Sequence, residues 1–140
     1  MTGTREFIKP KLWWALGFLL VLAICAASLV PMPQLPTDLL NHADKWQHVV
    51  AYFVAMGWFS QLISRKKLLL KAALAIFALG VALEFLQSLT GYRSLDRFDV
   101  LANSAGVLLG LMVAFTPLAV AVQRVDRWLF SSQTKWAAKD

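Results

Sequence analysis

The side chains that could do chemistry in this chain recur at spacings of three and four residues within three separate segments. Residues at these spacings lie on one face of an α-helix, so each segment presents its polar groups along one face. A histidine beside carboxylates can act as an acid or a base, and an arginine can hold an anion. The candidate polar cluster comprises Asp44, Lys45, His48, Tyr52, Glu84, Gln87, Arg93, Arg97, Asp99 and Asn103.

Metal ligands and cysteines are sparse in this pattern. One histidine with two or three carboxylates could hold a metal ion, but the spacing of the common two-histidine motifs is missing. The sequence therefore predicts no metal site and no cofactor. The single cysteine, Cys25, excludes a disulfide framework within one chain.

Four long apolar stretches must position the polar residues. The predicted helices cover residues 12–30, 44–63, 68–89 and 98–122, and at about 1.5 Å per residue each is long enough to cross a hydrocarbon core of about 30 Å. Of the 14 lysines and arginines, all but Lys45, Arg93 and Arg97 precede the first stretch, lie between the second and third or in the first turn of the third, or follow the fourth. This alternation is the positive-inside pattern. It predicts an all-α, polytopic membrane protein with four transmembrane helices, cytoplasmic N and C termini, and a single domain over residues 1–140.

The two ends of the chain allow alternatives. A basic start followed by an apolar run also fits a signal peptide, but the first run is longer than usual, which favours a retained helix. Residues 123–140 carry apolar and basic residues at helical spacing. They are typical of an amphipathic helix on the inner membrane surface, with an irregular soluble tail as the alternative.

Composition narrows the class of partner. Hydrophobic residues make up 59% of the chain and charged residues 16%, with a net charge of +6. The basic residues flank the apolar stretches and form no stripe with interleaved aromatics, so membrane lipids are the predicted partners and nucleic acid is not. Whether the protein is a homo-oligomer is left open.

The predicted topology brings the polar residues of helices two, three and four into one layer in the outer half of the membrane. Asp44 and Asp99, at predicted helix starts, are expected to be N-caps. Glu84 is costly in the membrane without a partner, so it is expected to pair with Lys45, His48 or an arginine of the outer loop.

Small residues on the fourth helix predict close helix packing. Ala102, Gly106 and Gly110 recur every four residues, and a seam of this kind lets another helix backbone approach. It would hold the adjacent Asn103 against that neighbour.

Three ordered motifs in residues 31–111 resemble those of the VanZ-like family of bacterial membrane proteins. The motifs are Asp44-Lys45-x-x-His48-x-x-x-Tyr52, Glu84-x-x-Gln87, and Arg93 to Asp99 leading into Asn103-x-x-Gly106-x-x-x-Gly110. The resemblance implies a small multi-helix protein of the bacterial cytoplasmic (inner) membrane. It also implies a link, in some members, to antibiotic resistance through lowered susceptibility to lipid-tailed glycopeptides such as teicoplanin.

Two hypotheses of function follow. In the first, the outward polar cluster binds or shields an envelope amphiphile, either a lipid-linked molecule or a lipoglycopeptide. In the alternative, the protein is an enzyme that modifies a lipid-linked envelope substrate, with Glu84 or His48 as acid or base. A proton path is disfavoured because the inner halves of the predicted helices carry no ionisable residue beyond Lys71 in the first turn of the third.

Overall fold

The computed structural model of the chain describes residues 3–30, 40–89 and 96–137, with the backbone alone for residues 40–44 and 132–137. Five α-helices account for most of this part of the chain. They are α1 (Pro10–Leu29), α2 (Leu40–Leu62), α3 (Lys66–Leu89), α4 (Arg97–Met112) and α5 (Ala121–Ala137), and two short 3-10 helices, Val113–Phe115 and Pro117–Val120, separate α4 from α5.

Helix α2 lies at the centre and packs against α1, α3, α4 and α5. Its buried side chains include Met56, Phe59 and Leu62, whereas large apolar side chains such as Phe18 of α1 and Leu74 of α3 are exposed. Soluble proteins rarely expose contiguous apolar surface on this scale. The outward faces therefore match a lipid environment.

Three segments in the described ranges are long and apolar enough to cross a membrane, namely Pro10–Leu29, Lys66–Leu89 and Arg97–Phe115. Helix α2 has 23 residues, but its first half carries Lys45, Gln47 and His48. These polar side chains lower the mean hydropathy of α2. The fourth span and the orientation of the termini remain predictions.

Two helix boundaries differ from those expected. Helix α2 begins at Leu40 rather than at residue 44, so Asp44 lies inside the helix and is not its N-cap. Helix α4 ends at Met112 rather than near residue 122. Pro117 lacks an N–H and clashes with the preceding turn of a helix, so the chain continues as 3-10 turns before α5.

The start of the chain packs against the connection between α2 and α3. The backbone N–H of Arg5 donates to the carbonyl of Leu62 at 2.8 Å, and the N–H groups of Ser64 and Arg65 donate to the carbonyl of Gly3. Residues 3–9 and the α2–α3 connection thus share one end of the bundle, and α5 joins them there through Asp126, which accepts from the N–H groups of Ile8 and Lys9. At about 1.5 Å per residue, Lys45 at the start of α2 lies at the opposite end.

Candidate functional site

Lys45 of α2 lies between two aspartates from the start of α4. Its Nζ donates to Asp99 Oδ1 at 2.6 Å and also to the carboxylate of Asp96. The side chains of Lys45 and Asp96 are 32% and 37% exposed, whereas that of Asp99 is 1% exposed. The ion pairs therefore extend from the surface into the bundle, with Lys45 and Asp96 as an accessible rim.

His48 lies one turn along α2 from Lys45 and contacts the next turn of α4. Its Nδ1 is 3.0 Å from Asn103 Oδ1, and its Nε2 is 3.7 Å from Asp99 Oδ2. When Nδ1–H donates to the Asn103 oxygen, Nε2 carries the lone pair of the neutral ring. Successive turns of α2 and α4 are thus in register: Lys45 faces Asp99, and His48, one turn further along α2, faces Asn103, one turn further along α4.

Glu84 of α3 completes the layer and contacts the start of α4. Its Oε1 accepts a hydrogen bond of 3.0 Å from the backbone N–H of Asp96. Its Oε2 is buried and meets no hydrogen-bond donor among the described residues. Lys45 binds the aspartates at the start of α4, whereas Glu84 lies against the backbone there. A pairing of Glu84 with Arg93 of the outer loop lies outside the described residues.

Three potential metal ligands converge from three helices. One ring nitrogen of His48, one oxygen of Glu84 and one oxygen of Asp99 lie within 4.8 Å of one another. One histidine with carboxylates was recognised from the sequence as a possible ligand set, but no metal site was predicted, because ligands on three different helices have no characteristic spacing in the sequence. These three side chains are called the inner triad below.

The other predicted site residues lie outside the inner triad. Tyr52 is buried, and its ring lies about 3 Å from where a Cβ on Gly80 of α3 would be, so only glycine fits there. Gln87 Nε2 donates to the carbonyl of Ser28 at 2.6 Å, which ties α3 to α1. Arg97 is exposed. Arg93 and the side chain of Asp44 lie outside the described residues.

The small-residue seam of α4 packs directly on α2. Ala102, Gly106 and Gly110 are buried, and a Cβ on Gly106 would collide with the carbonyl oxygen of Val49 and lie 2.9 Å from Tyr52 Cβ. This close approach brings Asn103 within reach of His48. The seam is thus the packing feature that assembles the polar layer.

Sequence reasoning did not include Asp96 among the site residues, although it is central to the site. Asp96, not Asp99, is the N-cap of α4, since its Oδ1 accepts from the N–H of Phe98 at 2.8 Å. The spacing Asp96-x-x-Asp99 resembles a capping box, and that signal could have identified the helix start.

A second buried carboxylate, Asp126 of α5, lies at the opposite end of the bundle. It is fully buried and accepts hydrogen bonds from the N–H groups of Ile8 and Lys9 and from Trp13 Nε1. It thereby satisfies backbone donors at the start of α1. No spacing pattern in the sequence could predict this contact, because its residues lie so far apart in the chain.

These features define a class of protein: a helical membrane protein with apolar outer faces and a buried layer of charged and polar side chains at one end. The chain belongs to the VanZ/LLP1 family, whose model matches residues 13–120. It is also similar to an uncharacterized protein of Schizosaccharomyces pombe, with 32% identity over 101 residues. The match covers 70% of this chain and 60% of that relative. No solved structure matches the chain.

Proposed function

We propose that this protein binds the polar headgroup of a membrane amphiphile at the rim formed by Lys45 and Asp96, on the outer side of a bacterial cytoplasmic membrane. In this proposal α2 is the fourth membrane span, and both termini are cytoplasmic. The observation that carries it is a charged layer that is buried within an apolar bundle yet open at one edge.

The distribution of basic residues supports this orientation. Arg5, Lys9, Lys11 and the basic residues 65–67 belong to the end of the bundle that contains the α2–α3 connection. Arg124 and Arg127 of α5 belong to the same end, because Asp126 between them binds residues 8 and 9. Basic residues favour the cytoplasmic side, so the polar layer would face outward.

Two exposed aromatic side chains support access from the lipid. Trp46 and Phe98 are more than half exposed, and Lys45 Nζ lies 6.0 Å from the centroid of the Phe98 ring. Aromatic residues favour the headgroup region of a bilayer. An amphiphile could therefore keep its chains in the membrane while its headgroup reaches the rim.

The class of ligand follows from the chemistry of the rim. An ammonium beside a carboxylate suits a headgroup that both donates and accepts hydrogen bonds, as phospholipids and lipid-tailed glycopeptides do. A relative in a fission yeast favours a ligand common to bacterial and yeast membranes, and hence a glycerophospholipid. Teicoplanin binding, with an effect on susceptibility, is the narrower form of the proposal.

The proposal predicts position-specific crosslinking. We expect a photoreactive phenylalanine analogue at position 98 to trap a defined lipid class in cell membranes, because position 98 borders Lys45. Mass spectrometry of the adducts identifies that class, and a parallel sample with teicoplanin distinguishes a lipid from the antibiotic. The matched control is the same analogue at Phe115, which is similarly exposed but lies beyond the end of α4 that is far from the rim.

Variants at the rim complete the design. Lys45→Met and Asp96→Asn should each reduce the specific adduct at position 98 at least tenfold, while the bulk-lipid adducts at position 115 stay constant. Identical adduct profiles at both positions, or a profile at 98 that is indifferent to both variants, would contradict headgroup binding.

The enzymatic alternative has one observation in its favour, the burial of His48 beside two carboxylates. A histidine held by Asn103 and facing Asp99 is placed for proton transfer. If the protein modifies a lipid-linked substrate, the purified protein should convert phospholipid or lipid-linked sugar in vesicles. Replacing Glu84 by Gln should then slow conversion at least a hundredfold, and product analysis by mass spectrometry decides the matter.

A further inference from the structure

We propose that His48, Glu84 and Asp99, the inner triad, bind one divalent transition-metal cation. The sequence pattern predicted no metal because its ligands come from three different helices. The inference concerns the interior of the polar layer, beneath the rim, and does not depend on headgroup binding.

Glu84 provides the strongest reason. Its side chain is 1% exposed, and Oε2 has no hydrogen-bond donor in the part of the chain that the structure describes. A buried carboxylate oxygen without a partner carries a large desolvation cost. A cation shared with Asp99 and His48 would provide the missing partner.

His48 is oriented as metal-bound histidines usually are. Such histidines donate the ring N–H that does not bind the metal to a carbonyl, carboxylate or water, which sets the tautomer. Asn103 Oδ1 is the acceptor here, 3.0 Å from Nδ1. The lone pair of Nε2 then lies on the side of Asp99 Oδ2, at 3.7 Å.

The ligand set indicates the kind of cation. Imidazole suits zinc and its neighbours, whereas carboxylates also suit manganese. Ligand atoms about 2.1 Å from zinc lie about 3.4 Å apart in a tetrahedral site, and the triad atoms already lie within 4.8 Å of one another. Small side-chain rotations would close the site. Three protein ligands leave a fourth position open for water or a ligand.

Titration calorimetry with Zn²⁺ and Mn²⁺ tests the inference on chelator-treated, full-length protein in lipid nanodiscs. We expect one Zn²⁺ or Mn²⁺ per chain, at least tenfold tighter than Mg²⁺, which binds imidazole poorly. Glu84→Gln and Asp99→Asn should each weaken binding at least tenfold. Glu6→Gln removes an exposed carboxylate elsewhere and should leave the affinity unchanged.

Circular dichroism and gel filtration establish that each variant is folded, and His48→Gln serves as a third test if Asp99→Asn is not. The inference is overturned if the wild-type protein binds no stoichiometric Zn²⁺ or Mn²⁺, or if a folded Glu84→Gln variant binds as tightly as wild type. The crosslink at position 98 separates the two proposals. If the crosslink persists but no metal binds, only the cation proposal is refuted. If metal binds but the crosslink is absent, only the headgroup proposal is refuted.

Discussion

Replacing Gly110 with valine is expected to lower the free energy of unfolding by about 3 kcal/mol, the largest effect we anticipate along the α2–α4 contact. A Cβ at position 110 would lie 2.7 Å from the backbone N of Gly57, the backbone O of Phe53 and Cβ of Met56. None of these atoms can rotate away, so α4 must move off α2. The Ser60 hydroxyl, buried and 2.8 Å from the Gly110 carbonyl, would then lose its acceptor.

Equilibrium unfolding in mixed micelles with rising SDS content, followed by circular dichroism, measures this loss. Ala105→Val adds the same kind of bulk on the exposed side of α4 and should change stability by no more than about 0.5 kcal/mol. Gly110→Ala should fall between the two. If Gly110→Val and Ala105→Val unfold alike, the close packing of α4 on α2 is refuted.

Removing the carboxylate of Asp126 is the second large expected effect. Asp126→Ala should cost about 3 kcal/mol, because each buried donor left without an acceptor costs about 1–3 kcal/mol. The donors are Ile8 N–H, Lys9 N–H and Trp13 Nε1–H, the last at 2.7 Å. The start of α1 should detach from α5 before the rest of the bundle unfolds.

Hydrogen exchange of the amides of Ile8 and Lys9 reports this detachment directly, alongside the same SDS unfolding measurement. Asp126→Asn retains one oxygen acceptor and should lose roughly half as much stability. Glu6→Ala removes an exposed acidic side chain on the same segment and should leave exchange unchanged. Unaltered exchange in Asp126→Ala would show that the carboxylate does not hold the start of α1.

Local patterns predicted most of the helical framework. The apolar stretches correspond to α1, α3 and α4. The length of an apolar run and the position of a proline that ends a helix can both be read from adjacent residues. Predictions failed at helix starts. Asp99 was expected to cap α4 and Asp44 to cap α2, whereas Asp96 caps α4 and α2 begins at Leu40. An N-cap must have non-helical backbone angles, and more than one aspartate near each helix start could have supplied it.

The contacts between side chains on different helices were less predictable than the helices themselves. The spacing on each helix brought His48, Glu84, Asp99 and Asn103 to a common depth. The spacing could not predict which residue Glu84 contacts, because the rotation of each helix and its distance from its neighbours are set by packing. The glycine seam on α4 sets both for α2 and so determines that Lys45 binds the aspartates.

The sequence by itself determined that the chain is helical, apolar on the outside and polar in one layer. Helical periodicity and the alternation of charge are patterns of residues close together in the chain, so they can be read without the tertiary structure. Only the tertiary structure decided which polar atoms meet: Lys45 with Asp96 and Asp99, His48 with Asn103, and Glu84 with the backbone of α4. Only it joined Asp126 to the start of α1. Contacts between residues far apart in the chain depend on the packing of whole helices, which no local pattern encodes.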